Sequence, residues 1–329
     1  MKVGITYDLR DDYLRDGYSY EETAEFDRID TIDGIDEALV SLGHTTDRIG
    51  NVKQLVKRLS SGHRWDLVFN IAEGMYGICR EALVPALLDA YQIPYTFSDP
   101  FVLSLTLHKG LTKSVISSAG IPTADFAVIE ALRDIDSVSL PYPLFAKPVA
   151  EGTGKGINEA SKVDTREQLS VLCSHLLDEF RQPVLVETYL PGREFTAGIV
   201  GTGQEAQVIG VMEVLFRKHH EGEKIYSFHN KSNYEEIIDY QIPEQEIVSS
   251  CSELALKSWE SLGCRDGGRV DIRMDNLGKP NFIEVNPLAG LNPVHSDLPI
   301  MCRLQGIPYN ELIKHILYSA ISRITRAKL

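Results

Sequence analysis

A chain of 329 residues is long enough for two or three domains with buried cores, which excludes a peptide hormone or a disulfide-stapled miniprotein. With 43% apolar and 24% charged residues it has the composition of a globular protein, and no stretch approaches the roughly 18 uncharged apolar residues of a membrane helix. The 33 basic and 47 acidic residues leave a net charge of −14, and with no Lys/Arg run to offset it, neither nucleic acid nor a membrane is expected as a partner.

In chain order, the first residues turn acidic at once, without the apolar core of a secretion signal, so a cytoplasmic location is expected. Residues 2–7 read as a buried strand, and 30–43 as a helix with Ile32, Ile35, Leu39 and Leu42 at helical spacing and Gly43 as its stop. A basic amphipathic helix at 52–59, a second strand at 65–70 and a third at 93–96 complete an α/β unit with a parallel sheet. Residues 103–119 read as one helix closed by Gly120 and Pro122, which places a boundary near Ser98. Strands at 144–149 and 184–188 flank a helix at 166–180, giving a central α+β module. Past Pro191, strands at 194–200, 206–214, 268–274 and 280–286, with helices at 244–262 and 310–326, predict an antiparallel sheet with flanking helices. The expected domains are therefore 1–98, 99–188 and 189–329. Cys79, Cys173, Cys251, Cys264 and Cys302 form an odd set with no C-x-x-C pair, which reads as reduced packing thiols.

Three segments carry chemistry. If Leu277 and Gly278 form the turn of a hairpin, Asp271 lies opposite Glu284 and Arg269 opposite Asn286, all on one sheet face. Two carboxylates and an amide gathered there suit Mg²⁺, although a solvated hairpin with cross-strand Arg–carboxylate pairs fits the same pattern. The second segment, Ala146-Lys147-Pro148 followed by Glu151-Gly152-Thr153-Gly154-Lys155-Gly156, leads a strand into a glycine loop whose backbone can approach a phosphate. It matches neither the P-loop nor the dinucleotide fingerprint, and alone it equally fits a flexible hairpin tip. In the third, Lys109 and Lys113 share a helix face at i, i+4, a spacing that also describes a solvated surface.

Taken in order, these segments resemble the ATP-grasp superfamily, and within it the D-alanine–D-alanine ligase family. The resemblance runs from about Trp65 to Leu312 through His108-Lys109, Thr112-Lys113, Ala146-Lys147-Pro148, Glu151-Gly152-Thr153, Glu187, Gly192-Arg193-Glu194-Phe195-Thr196, Gly268-Arg269, Asp271, Glu284-Val285-Asn286, Gly290, His295-Ser296 and Pro299. It implies a three-domain ATP-grasp fold: an N-terminal parallel α/β substrate domain, a small central α+β domain, and a C-terminal antiparallel-sheet domain carrying catalysis. It also implies ATP and Mg²⁺ as cofactors, two ions with Mn²⁺ as a substitute, small carboxylate and amine substrates, and a homodimer. By the resemblance, Lys109 and Lys147 hold ATP phosphates and Thr153 takes the place of a serine in the phosphate-covering loop. Glu187, Thr188, Tyr189 and Leu190 match the strand that meets adenine, and Glu194 the carboxylate on the ribose. Lys231, in a loop at 226–234, matches a lysine that closes over the phosphates. Asp271, Glu284 and Asn286 match the Mg²⁺ ligands and Arg269 the residue facing the oxyanion, while Gly290 and Ser296 match positions around the reacting carboxylates.

The chain departs from the family at substrate positions. The family's H-G-G-x-S-x-E segment is replaced by Thr6-Tyr7-Asp8-Leu9-Arg10-Asp11-Asp12, so its ammonium-binding glutamate is missing. Glu73-Gly74 replaces His-Gly, Ser232 stands where a tyrosine is expected, and one extra residue lies between Asn286 and Ser296. Arg10, Glu73, Tyr76 and Arg80 are candidates for handling a replacement substrate, with surface or capping roles as the alternative. The expected activity is an ATP-dependent carboxylate–amine ligase working through an acyl phosphate on substrates other than two D-alanines. The alternatives are a true D-alanine–D-alanine ligase and a nucleotide-binding regulatory module without turnover.

Overall fold

The computed structural model describes residues 1–216 and 238–326, and their strands form three sheets. The first is parallel, in the order β2 (Thr45–Gly50), β1 (Lys2–Thr6), β3 (Leu67–Asn70). Val3 and Ile5 of β1 are fully buried, and helix α2 (Ile29–Ser41) lays Ile32, Ile35 and Leu39 in the core. A short α1 (Arg10–Arg15) precedes it. Strand β2 lacks an apolar pattern because it is an edge strand. Its Arg48 instead pairs with Asp36 at 2.6 Å and Asp33 at 2.7 Å. Helices α3 (Val52–Ser60) and α4 (Leu83–Ala90) follow, the first capped by reciprocal bonds between Asn51 and Gln54.

Two expectations need correction here. Residues 93–96 do not form a third strand: they meet β3 through one bridge, Val68 with Tyr95, because Pro94 has no N–H to extend the ladder. The single helix at 103–119 is two, α5 (Pro100–Leu107) and α6 (Lys109–Ser118). His108 breaks it at ψ 86°, its ring accepting from Leu111 N, while Lys109 N donates to Val149 O across to the next module. No glycine or proline marks the break, so the periodicity runs straight through it.

The second sheet is antiparallel, in the order β4 (Phe126–Ile129), β7 (Val184–Thr188), β5 (Leu144–Pro148), β6 (Lys162–Val163). Helix α7 (Arg166–Phe180) covers it, packing Leu169, Cys173 and Leu176 on Leu144, Ala146 and Val186. The third sheet is antiparallel, in the order β10 (Ile238–Gln241), β9 (Gln207–Phe216), β8 (Glu194–Val200), β11 (Gly267–Met274), β12 (Pro280–Asn286). Helix α8 (Gln245–Leu262) buries Trp259 against it. Helices α9 (Asp297–Leu304) and α10 (Tyr309–Arg326) close the chain, and α10 returns to the first sheet, placing Leu312, Ile313 and Ile316 in the core that holds Val3 and Ile5. Buried Asp266 fixes this return: it accepts from Phe97 N at 2.9 Å, Ser319 Oγ at 2.9 Å and Arg323 Nη2 at 2.8 Å. The five cysteines are free thiols, four of them buried.

Candidate active site

The hairpin of β11 and β12 places Arg269 opposite Asn286 and Asp271 opposite Glu284. The expected pairs form, but the expected turn does not. Asp275 N donates to Lys279 O at 2.9 Å, and the ladder pairs Met274 with Pro280 and Ile272 with Phe282. The loop therefore holds residues 276–278, three instead of two, and a bulge after Asp271 restores the register. Asp271 Oδ1 accepts from Thr196 Oγ1 at 2.9 Å, and Asn286 Nδ2 donates to Asp271 Oδ2 at 3.3 Å. Arg269 Nη1 lies 3.5 Å from Asp271 Oδ1 and donates to Asp297 Oδ2, while Tyr240 OH donates to the other Asp297 oxygen at 3.2 Å. Asp297, which sequence reasoning missed, thus aims the guanidinium.

Among the described residues no cluster of three or more His, Cys, Asp or Glu side chains is preassembled for a metal. Asp271, Glu284 and the Asn286 amide nevertheless offer hard oxygen donors on neighbouring strands. A hard ion such as Mg²⁺ needs only one or two carboxylates when phosphate and water oxygens complete its shell, so the donor set fits.

The lysines face the same place. Lys109 Nζ donates to Glu151 O at 2.6 Å and lies 3.5 Å from Glu284 Oε2. Lys113 is fully buried rather than solvated: its Nζ donates to Thr123 Oγ1 at 2.6 Å and lies 3.6 Å from Glu187 Oε2, and burial pulls its pKa down. Lys147 Nζ lies 3.6 Å from Glu187 Oε1; burial alone would lower its pKa, but Glu187 and Glu284 raise it above the ordinary lysine value. Burial opposes the charge on Glu187, yet the two lysines bring it below the usual carboxylate value. The Glu187 side chain therefore spaces two cations on one wall of a narrow cleft. Thr188, Tyr189, Leu190 and Glu194 line that cleft, with Glu194 3.2 Å from Arg273 Nη1 and the Arg273 guanidinium over the Tyr189 ring. Lys231 and Ser232 lie outside the described residues.

The glycine loop separates this cleft from a larger cavity. Thr153 sits at φ +51°, a left-handed conformation costly for a β-branched residue, and its buried hydroxyl has no partner. An orphaned donor in a strained loop between two lysines is suited to a phosphate oxygen. Glu25 and Arg80 hold the loop down: Gly152 N donates to Glu25 Oε1 at 2.7 Å, Arg80 Nη2 to Glu25 Oε2 at 2.9 Å, and Arg80 Nη1 to Ala150 O at 3.0 Å.

The larger cavity, about 790 Å³, is lined by Asn286, Gly290 and Ser296 at one end and by residues of the first hundred at the other. Gly290 packs closely on Ser296, since a Cβ there would sit 2.8 Å from Ser296 Oγ and would displace that hydroxyl. Of the four substrate candidates, Arg10 and Glu73 line the cavity. Arg80 lies behind its wall on Glu25, and Tyr76 is exposed on the surface, bonded to Tyr18. The glutamate missing from residues 6–12 has neighbours in space that the sequence did not single out: Glu25, Asp27 and Glu81 line the cavity too. Their only sequence signal is an acidic stretch before α2 and the Arg80-Glu81 pair.

Burial, with Asp8 nearby, pushes the Asp27 carboxyl up to about 7, and burial with the charge of Glu25 does the same for Glu81. A carboxyl whose pKa is higher folded than unfolded takes up protons on folding, so its contribution to stability falls as pH rises from about 4 through about 7. Thermal unfolding is therefore expected at least about 2 °C lower at pH 8 than at pH 5, with Asp27→Asn flattening the slope. A midpoint that rises over this interval contradicts the assignment.

Residues 115–318 match the family model described as D-ala D-ala ligase C-terminus. The D-alanine–D-alanine ligase of Actinobacillus pleuropneumoniae serotype 5b is 31% identical over 289 residues, covering 86% of this chain and 89% of that one. The D-alanine–D-alanine ligase of Bacillus anthracis, solved in complex with ATP, superposes with a TM-score of 0.75 at 20% identity over all of both chains. The VanG D-Ala:D-Ser ligase of Enterococcus faecalis gives 0.73 at 19% identity, covering 97% and 99%. Fold and cleft together define an ATP-grasp enzyme of the carbon–nitrogen ligase class. Within that class, the chain belongs to the D-alanine–D-alanine ligase family. Among the described residues no helix is long and apolar enough to cross a membrane.

Proposed function

We propose that the protein is a cytoplasmic ATP- and Mg²⁺-dependent ligase that joins a small carboxylate to an amine through an acyl phosphate, with substrates other than a pair of D-alanines. The observation that carries this reading is the convergence of Lys109, Lys147, the Thr153 loop and the Asp271–Glu284 pair on Arg269, at the mouth of a cavity with room for two small molecules. A bound Mg²⁺, or two with Mn²⁺ as a substitute, offsets phosphate charge and is assigned to Asp271, Glu284 and Asn286. Lys109 and Lys147 hold the phosphates in line with the substrate carboxylate, which takes the γ-phosphoryl group. Thr153 and the loop latched by Glu25 and Arg80 exclude water from the acyl phosphate. As the amine attacks, Arg269 meets the charge on the carbonyl oxygen. The domain limits 1–98, 99–188 and 189–329 are proposed with it, the cavity being lined by residues of all three.

A second reading, D-alanyl-D-alanine synthesis, is favoured by one observation: Asp27 lines the cavity and offers a carboxyl group for an ammonium group. Calorimetry is expected to register ATP binding to the folded protein that requires Mg²⁺, and no binding at millimolar ligand and metal would refute the ligase assignment. Steady-state assays should give D-alanine a kcat/KM below about 10⁴ M⁻¹s⁻¹, and a higher value selects the second reading.

A further inference from the structure

The charges on the cavity wall indicate what the cavity takes, given the ligase reading above on which this inference rests. Among the described residues, every arginine at or behind the wall is hydrogen-bonded or ion-paired within the protein. Arg10 donates to Thr23 O at 3.0 Å and Ala24 O at 2.7 Å, and Arg28 Nη2 lies 3.2 Å from Asp30. Arg80 is bonded to Glu25 and Ala150, and Arg269 to Asp297. Lys109 is held by Glu151 O and Glu284. All of these cations but Arg10 therefore already face a carboxylate.

The carboxylates divide differently. Glu25 is satisfied by Arg80 and Gly152, with Lys155 3.7 Å away. The carboxyl groups of Glu73 and Glu81, both residues on the cavity wall, make no hydrogen bond or ion pair with a described side chain, although the Glu73 backbone bonds Asp8. Both carboxyls sit above the ordinary carboxylate value, chiefly through burial, Glu73 further through the charges of Glu81 and Glu25 and Glu81 through that of Glu25, while Arg80, with Lys109 for Glu81, pulls the other way. Gly74 N, next to Glu73, donates to Asp8 Oδ2 at 2.8 Å, and Glu81 lies in a helical turn, Arg80–Ala82, leading into α4. The cavity's 790 Å³ also lies within the range of about 300–1,000 Å³ typical of sites for larger ligands, more than two of the smallest amino acids need.

We infer that this cavity takes a cationic amino compound, a basic amino acid or a diamine, bearing a positive group besides the one that reacts, with Glu73 and Glu81 as the residues that select it. The substrate's second cation sits between the two carboxylates, while its reacting group reaches Arg269 at the other end of the cavity.

The test uses the full chain with MgATP and reads ADP release together with product mass. Lysine, ornithine, arginine and 1,4-diaminobutane are compared with alanine, serine and glutamate, the amino acids in D and L forms, singly and in pairs. A cationic compound is expected to exceed the best neutral or acidic one in kcat/KM by about 10-fold or more, as one charge-assisted contact provides. Glu73→Gln and Glu81→Gln keep the shape, and each should reduce that ratio by about 10-fold through KM rather than kcat. The inference is overturned by alanine, serine or glutamate matching the cationic compounds, by a ratio unmoved in both variants, or by no turnover on any of them while MgATP still binds. Failure of the unaltered protein to bind MgATP overturns the ligase reading instead.

Discussion

Arg269→Ala is expected to lower turnover about 10²–10³-fold while MgATP binding persists, the scale seen when one preorganised oxyanion donor is removed. The expectation follows from where the guanidinium is held. Arg269 extends from β11 at the seam between the nucleotide cleft and the substrate cavity, and lines both. Asp297 at the start of α9 fixes it, and Tyr240 fixes Asp297. A donor held in place in this way needs no reorganisation when charge appears on the carbonyl oxygen. It contributes most in the transition state and little to ATP affinity. Asp297→Asn should reproduce part of the loss, because the guanidinium keeps its charge but loses its anchor. Turnover at the unaltered rate in Arg269→Ala would remove this residue from the chemistry.

Glu284→Gln is expected to reduce turnover by about 10²-fold or more at low Mg²⁺ and to recover part of it as Mg²⁺ is raised. Glu284 sits opposite Asp271, close to the Lys109 ammonium. The amide is isosteric and keeps the hairpin packing, but it supplies a weaker, uncharged oxygen to the ion. Loss of a charged ligand raises the metal concentration needed for half-maximal rate, whereas a purely structural defect would not respond to metal. Asn286→Ala should shift the same metal curve by a smaller amount, since it removes a neutral donor. A Glu284→Gln enzyme with an unchanged Mg²⁺ dependence would show that this carboxylate does not hold the ion.

The parts of the fold that could be read in the sequence are those that bury an apolar run or face. Strands β8 and β12 and helix α7 have the limits expected from the sequence, β8 being buried along nearly its whole length. Strand β2 is hidden because an edge strand satisfies its polar side chains with Asp33 and Asp36 instead of burying them. The break at His108 is hidden because a side chain, not a glycine or proline, makes it. In the hairpin, the predicted pairs of Asp271 with Glu284 and Arg269 with Asn286 form only because a three-residue loop and a bulge offset one another, and nothing in the local sequence announces either.

The candidate site divides along the same line. Residues of the nucleotide cleft lie in contiguous motifs on strands and loops, so Lys109, Lys147, Thr153 and the Asp271–Glu284 pair can be found by order and spacing. The substrate cavity is assembled from the segment before α2, the turn before α4 and the loop before α9, which no spacing rule connects. Glu25, Asp27 and Glu81 emerge only when those three pieces are brought together. Arg80 shows the limit from the other side: chosen from the sequence as a substrate residue, it is engaged in holding the glycine loop.

The central claim, that this cleft drives amide formation through an acyl phosphate, is tested most directly by oxygen transfer. A carboxylate substrate that supports turnover, labelled with ¹⁸O in both oxygens, is incubated with MgATP and the amine, and the released phosphate is analysed by mass. Attack of the carboxylate on the γ-phosphorus followed by displacement at carbon leaves one substrate oxygen in the phosphate. One ¹⁸O per phosphate, with ADP and the amide in equal amounts, is the predicted result. Unlabelled phosphate, or AMP and pyrophosphate in place of ADP, would contradict it.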